Sequence, residues 1–198
     1  NPGTYMTTLT INAVIDEGSG GPGTGLTKSG AGTAVASANN TYTGKTTVNG
    51  GTLVLTGTSS YTGDTLVQGF NSILRANDGV GLPAASFLTL RNGGILETNG
   101  NFTRSLGASG TGKVRWQGGG FSARGGDLTV NLNGGGADNL VWGGTANFVD
   151  SGQPLVFNPT ATATGRVVFA DNLDFNGLTR TVAVGTQSAE LGGVLGNG

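Results

Sequence analysis

Among the acidic residues, Asp171 and Asp174 come closest to a catalytic pattern, with Asp150 earlier in the chain. If the chain repeats about every 20 residues, Asp150 and Asp171 stack on neighbouring repeats. Two carboxyl groups roughly 5–10 Å apart are what glycoside hydrolysis requires. The plainer reading makes them solvated corner residues beside Asn172 and Asn176. Only 11 acids are spread over the whole chain, and an eliminating enzyme also wants a lysine or arginine beside them. We take the plainer reading. Residues Gly134 to Leu140 hold one imperfect Gly-rich stretch ending at Asp138, and calcium-binding rolls need tandem copies that share each ion, so this reads as a turn. Gly118-Gly119-Gly120 and Gly134-Gly135-Gly136 lack the Lys-Ser/Thr and the following helix of a phosphate loop, and read as bends. Lys28-Ser29 is the nearest approach to a serine–lysine pair; the other lysines are Lys45 and Lys113, and there is no histidine to activate a serine. Trp116 and Trp142, with Phe121 and Phe148, could form a sugar-stacking platform, against which stands an ordinary place in the core. We expect no catalytic residue, no metal and no cofactor.

Composition narrows the field further. Glycine, threonine and asparagine supply 86 of 198 residues, which excludes a helical bundle because each helical glycine costs about 1 kcal/mol. Ten Lys+Arg against 11 Asp+Glu leave no footprint for nucleic acid, and the low charge does not suit a charged disordered tail. Without histidine or cysteine there is no imidazole base, thiol nucleophile, disulfide or N/S-ligated zinc site. Apolar runs are short, as in Ala13-Val14-Ile15, whereas a spanning helix needs about 20 residues. The sequence opens on Asn1-Pro2-Gly3 rather than Met and shows no charged-then-apolar leader, so we read it as a mature or excised piece, with any signal peptide or anchor lying outside it.

The elements that must position any site are short strands. Period-2 runs occur at Leu9–Ile11, Thr52–Leu55, Leu88–Arg91, Lys113–Trp116, Leu128–Leu132, Arg166–Phe169 and Thr181–Val184. Alternate residues are mostly apolar, as expected for strands with one face inward and threonine outside. Asn-Gly pairs at Asn49, Asn92, Asn99, Asn133, Asn176 and Asn197 mark corners where φ > 0 is cheap.

Two repeats organise these strands. Tyr42-Thr43-Gly44-Lys45-Thr46-Thr47-Val48 recurs as Tyr61-Thr62-Gly63-Asp64-Thr65-Leu66-Val67. Each copy is followed by a corner and a second strand, Thr52–Leu55 and Ser72–Arg75. This period predicts an all-β, parallel β-solenoid of roughly 20 residues per coil, nine or ten coils and about 45 Å long. Tyr42 and Tyr61 then form a same-phase aromatic ladder. More weakly, Leu191 to Gly198 resembles Ile11 to Gly18, which puts the end of the chain in phase with its beginning. We therefore expect residues 1–198 to be a single solenoid segment, one unit of a longer tandem array, with its strongest motif at 25–75.

Gly25-Leu26-Thr27-Lys28-Ser29-Gly30-Ala31-Gly32-Thr33, followed by Asn39 to Leu53, resembles the autotransporter-associated β-strand repeat of bacterial type V passenger domains and very large surface proteins. The motif is a Lys-x-Gly-x-Gly-Thr entry, an Asn-Thr-Tyr-x-Gly-x-Thr-x-Val turn and strand, then Gly-Thr-Leu. Ala34-Val35-Ala36 departs from the usual Leu-x-Leu, which predicts a thinner coil there. A second stretch, from Leu140 through Leu155-Val156-Phe157 to Val182, resembles segments between such motifs. The resemblance implies a right-handed parallel β-helix, secretion across the outer membrane, a place on the bacterial cell surface, and no active site.

Three functions follow for testing: a non-enzymatic structural module of a surface fibre or passenger stalk, an adhesin or glycan-binding module, and a polysaccharide-active β-helix enzyme. The expected partners are neighbouring copies or repeats end to end, and cell-surface glycans under the second reading. Nucleic acid and membrane insertion of this segment are not expected. An open solenoid end templates the addition of another strand, and neither end carries a capping pattern.

Overall fold

The computed structural model describes residues 7–132 and 139–197. These residues form strands and no helix, so no helix is long and apolar enough to cross a membrane. In chain order the strands are β1 (Thr8–Ile11), β2 (Leu26–Lys28), β3 (Thr33–Ala36), β4 (Thr46–Val48), β5 (Gly51–Leu55), β6 (Thr65–Gln68), β7 (Ser72–Arg75), β8 (Leu88–Arg91), β9 (Ile95–Thr103), β10 (Val114–Trp116), β11 (Gly119–Asn131), β12 (Asn139–Val141), β13 (Leu155–Phe157), β14 (Val167–Phe169), β15 (Asn172–Asp174), β16 (Val182–Val184), β17 (Ala189–Leu191) and β18 (Leu195–Gly196).

Successive strands lie in different sheets, and the pairings run parallel between one circuit of the chain and the next. The main sheet runs β1-β3-β5-β7-β9-β11-β13-β16, with β14 and β17 continuing from β11. A second sheet runs β10-β8-β6-β4-β2, and a third β12-β15-β18. This is a parallel β-helix.

After a first, longer step from Thr8 to Thr33, the coil falls to near the expected length and then grows. Thr33 pairs with Thr52, Thr52 with Ile73 and Ile73 with Ile95, each step slightly longer than the one before. The step from Ile95 to Gly120 is longer again, and that from Gly120 to Val156 is the longest of the series. The path is therefore eight strands deep rather than nine or ten, about 34 Å at the usual strand spacing. Longer strands account for part of the growth. β9 has 9 residues and β11 has 13. Their pairing jumps from Thr98↔Ala123 to Gly100↔Leu128, so an exposed bulge at 124–127 carries β11 round a corner onto another face.

Alternation puts ladders of apolar side chains inside. Val48, Val67, Leu90 and Trp116 stack in register and are fully buried. So do Leu53, Leu74, Leu96, Phe121 and Phe157 on the main sheet. Each such side chain contributes roughly 1.5–3 kcal/mol on burial. The Ala34 and Ala36 rung is thinner, and beside it an open groove of about 580 Å³ is lined by Leu9, Ile11, Leu26, Ala34 and Leu53. At the corners, Asn92, Asn176 and Asn197 take positive φ, whereas after Asn49 and Asn99 the turn is taken by Gly51 and Gly100. The bend at Gly118 and Gly119 is confirmed by φ of 138° and 89°. Asn133-Gly134 and the Gly134–Asp138 stretch lie outside the described residues.

Candidate functional site

The short repeat is built for stacking one coil on the next. The rings of Tyr42 and Tyr61 lie 4.9 Å apart and 5° from parallel, both buried. A buried phenol needs a partner, and Thr46 and Thr65 turn inward to supply it, at 2.6 and 2.9 Å. These two threonines correct the expectation that threonine keeps to the outer face. The Thr65 hydroxyl also meets Ser86 Oγ at 2.9 Å, and Ser86 donates to the Gly63 carbonyl. Burial pushes both phenols above their ordinary range, so they stay neutral. The motif glycines follow from close contact: a Cβ on Gly63 would lie 1.9 Å from the Gly44 carbonyl oxygen, and one on Gly44 would lie 2.3 Å from that of Gly23.

Charged residues of the repeat hold corners. Lys28 Nζ donates to the carbonyls of Ser29, Gly30 and Gly50 at 2.7–2.9 Å, and partial desolvation lowers its pKa. Lys28 thus ties one corner to the next and is not placed as a base for Ser29. Glu17 accepts hydrogen bonds from the backbone of Thr43 and Thr24. Hydrogen bonding to Thr43, helped by Thr24 and opposed by desolvation, lowers its pKa from 4.5 to about 2.

The carboxylates weighed as a catalytic set do not assemble as the short repeat suggested. β15 pairs Asn172 with Asn139, so Asp150 is not the stacking counterpart of Asp171. Asp150 is exposed ahead of β13. Asp171 is buried rather than solvated, and its Oδ2 accepts from Leu132 N at 2.8 Å. Asp174 accepts from Asn176 N and Asn197 Nδ2 at 2.6 and 2.7 Å, closing its own corner and that of the next coil. Trp116, Trp142, Phe121 and Phe148 are all buried, so the sugar platform gives way to an aromatic core in which Trp116 meets Phe121 edge-on at 5.0 Å.

Two ion pairs, each with one buried partner, escaped sequence reasoning. Glu97 lies on an outward position of β9, yet the loop at 158–164 folds over it. It accepts from Arg75 and from Thr160 and Thr162 of that loop. Arg104 binds Asp78 and the carbonyls of Ser86 and Pro83. An outward glutamate in a period-2 strand carries no signal that a distant loop will cover it.

The terminal coils differ from the rest. Val182 and Val184 stand in register on the buried Leu155 and Phe157 but are 37% and 51% exposed, because no further rung covers them among the described residues. Leu195 stands on buried Leu173 and is 50% exposed. At the opposite end Leu9, in register with Ala34, is 60% exposed. Among the described residues, strands β1, β2, β16, β17 and β18 each pair along one edge only.

The family model of the passenger-associated transport repeat matches residues 26–55 and again 50–69, the stretch that carries the stacked tyrosines, the corner lysine and the contact glycines. No curated protein and no solved structure matches the chain. The repeat is a structural one, from a family of surface-exposed or secreted proteins. Over these residues the chain carries the repeat of autotransporter passenger domains, folded as successive rungs of a parallel β-helix.

Proposed function

We propose that the chain is a non-enzymatic structural module of a bacterial surface fibre or passenger stalk, which stacks end to end with neighbouring copies or repeats. The observation that carries this reading is the pair of terminal coils. Their inward apolar side chains follow the core ladders in register but lie exposed along the axis, beside strand edges with no neighbour among the described residues. Both the burial of apolar surface and the completion of backbone ladders favour adding another rung. The spending of charged side chains on corners and loop clamps supports the same reading. The glycan-binding alternative loses its tryptophan platform to the core.

Sedimentation velocity over a range of concentrations tests the proposal. The native chain is expected to associate with rising concentration. Val184→Asp, which puts a charge on the exposed ladder, should stay monomeric, while Ala183→Asp on the outer side of the same strand should associate normally. Equal association of all three would overturn it.

A further inference from the structure

We infer that the side of the solenoid carries a binding site for a carboxylate-bearing glycan, centred on Arg124. Six of the seven arginines are spent inside the fold. Arg75 binds Glu97 and Thr162, Arg91 binds Gln68, and Arg104 binds Asp78. Arg115 and Arg180 donate to backbone carbonyls, and Arg166 pairs with Glu190. Arg124 is exposed, and no hydrogen bond, ion pair or ring contact holds its side chain among the described residues. Its backbone, by contrast, is braced. The Ala123 carbonyl accepts from Thr164 N at 2.9 Å, and Gly125 N donates to Thr164 Oγ1 at 2.9 Å. Gly125, at a φ of 83°, also leaves room for Asn99, since a Cβ there would lie 3.2 Å from Asn99 Nδ2. A free cation on a fixed bulge is set for a ligand with little left to order.

The surface around Arg124 is concave. A groove of about 270 Å³ crosses four successive rungs, β5, β7, β9 and β11, and is lined by Thr56, Arg75, Asn77, Glu97, Asn99 and Arg124. Three strand steps make it about 14 Å long, the reach of a short oligosaccharide. Val54 and Val80 add aliphatic surface to it. A second groove of about 410 Å³ shares Arg124 and Gly125 and extends to Thr162 and Thr164. Arg75 and Glu97 neutralise one another, so Arg124 makes both grooves net positive.

The chemistry of the lining selects the ligand class. The amides and hydroxyl of Asn77, Asn99 and Thr56 suit sugar hydroxyls, and the valines suit the CH face of a sugar ring. The guanidinium of Arg124 suits one carboxylate, gripped by two parallel donors. An acidic peptide fits less well. All four strands are paired on both edges, so the groove offers no open backbone to an added strand. The lone free cation also matches sparse carboxylates better than an acidic run. The site binds and does not cut. The one carboxylate in its lining, Glu97, is buried and held by Arg75, Thr160 and Thr162.

Titration followed by NMR chemical-shift changes tests the site, with trigalacturonate, a mannuronate trimer and sialyllactose as probes. The native chain is expected to bind at least one of them at low salt, and more weakly as salt is added. The neutral galactose trimer should bind less tightly than trigalacturonate. Arg124→Gln, checked for native circular dichroism, should lower the affinity about tenfold or more, the scale of one charge-assisted contact. Phe70→Ala, at an exposed residue beside a different groove, should bind as the native chain does. No binding of any acidic sugar, or equal affinity in Arg124→Gln, overturns the site. A response to a glutamate-rich peptide that depends on Arg124 and matches or exceeds that to the sugars overturns the glycan class. The site lies across middle coils, so each of these outcomes leaves the end-to-end reading as it stands.

Discussion

Glu17 shows how a half-buried side chain at a corner can tie two coils together. Its carboxylate receives backbone donors from Thr24 and Thr43, 7 and 26 residues away. Because its folded pKa lies near 2 against an ordinary 4.5, the ionised form is favoured by folding. That contribution is complete above about pH 4.5 and is lost as pH falls through about 2. Glu17→Gln should therefore flatten the fall in melting temperature across this window while leaving neutral-pH circular dichroism unchanged; an unaltered pH profile would remove Glu17 from the account. Gly63 makes the complementary point about space. A methyl group there meets the Gly44 carbonyl at 1.9 Å, and backbone cannot step aside as a side-chain tip can. Gly63→Ala should cost about 1–3 kcal/mol or more, the usual penalty of overpacking, read as a lowered denaturation midpoint. A midpoint matching the native chain would mean that the coils are not in backbone contact.

At the scale of elements, local pattern was a good guide and coil length was not. Ser72–Arg75 and Leu88–Arg91 form strands with the bounds that alternation assigns, and the two tyrosines stack as their matched phase implies. Both signals are local and repeat on the chain. The growth of the coil, from the short step between Thr33 and Thr52 to the long one between Gly120 and Val156, is not local. It comes from strands that bend round corners and from a loop that folds over β9, and neither leaves a period. Glu97, Arg75 and Thr160 were illegible for the same reason, since 63 residues separate Glu97 from Thr160. Asp171 was misjudged as solvated because its burial depends on the chain at Leu132, 39 residues back. The register itself is testable. Thr47 and Leu66 are Cα partners on outward positions of β4 and β6, at a strand spacing of about 4.8 Å that suits a disulfide. Thr47→Cys with Leu66→Cys should oxidise within one chain, whereas Thr47→Cys with the inward Val67→Cys should not; the opposite pattern would shift the ladder by one residue.

At the scale of the whole fold, the ladders that hold the interior continue into the first and last described coils, where no described residue covers them. Leu9 at one end and Val182, Val184 and Leu195 at the other continue the inward columns and remain 37–60% exposed. Solenoids gain stability from neighbour contacts, so in the proposed stacking each added copy would supply to a terminal rung what every internal rung already has. A stalk needs this property more than it needs a cleft, and the charged groups that clamp corners and loops serve the same end. Negative-stain imaging of the native chain at high concentration tests this most directly. Thin rods several times longer than the roughly 34 Å of one eight-rung solenoid are the expected result. Discrete particles of about that length at every concentration would contradict it.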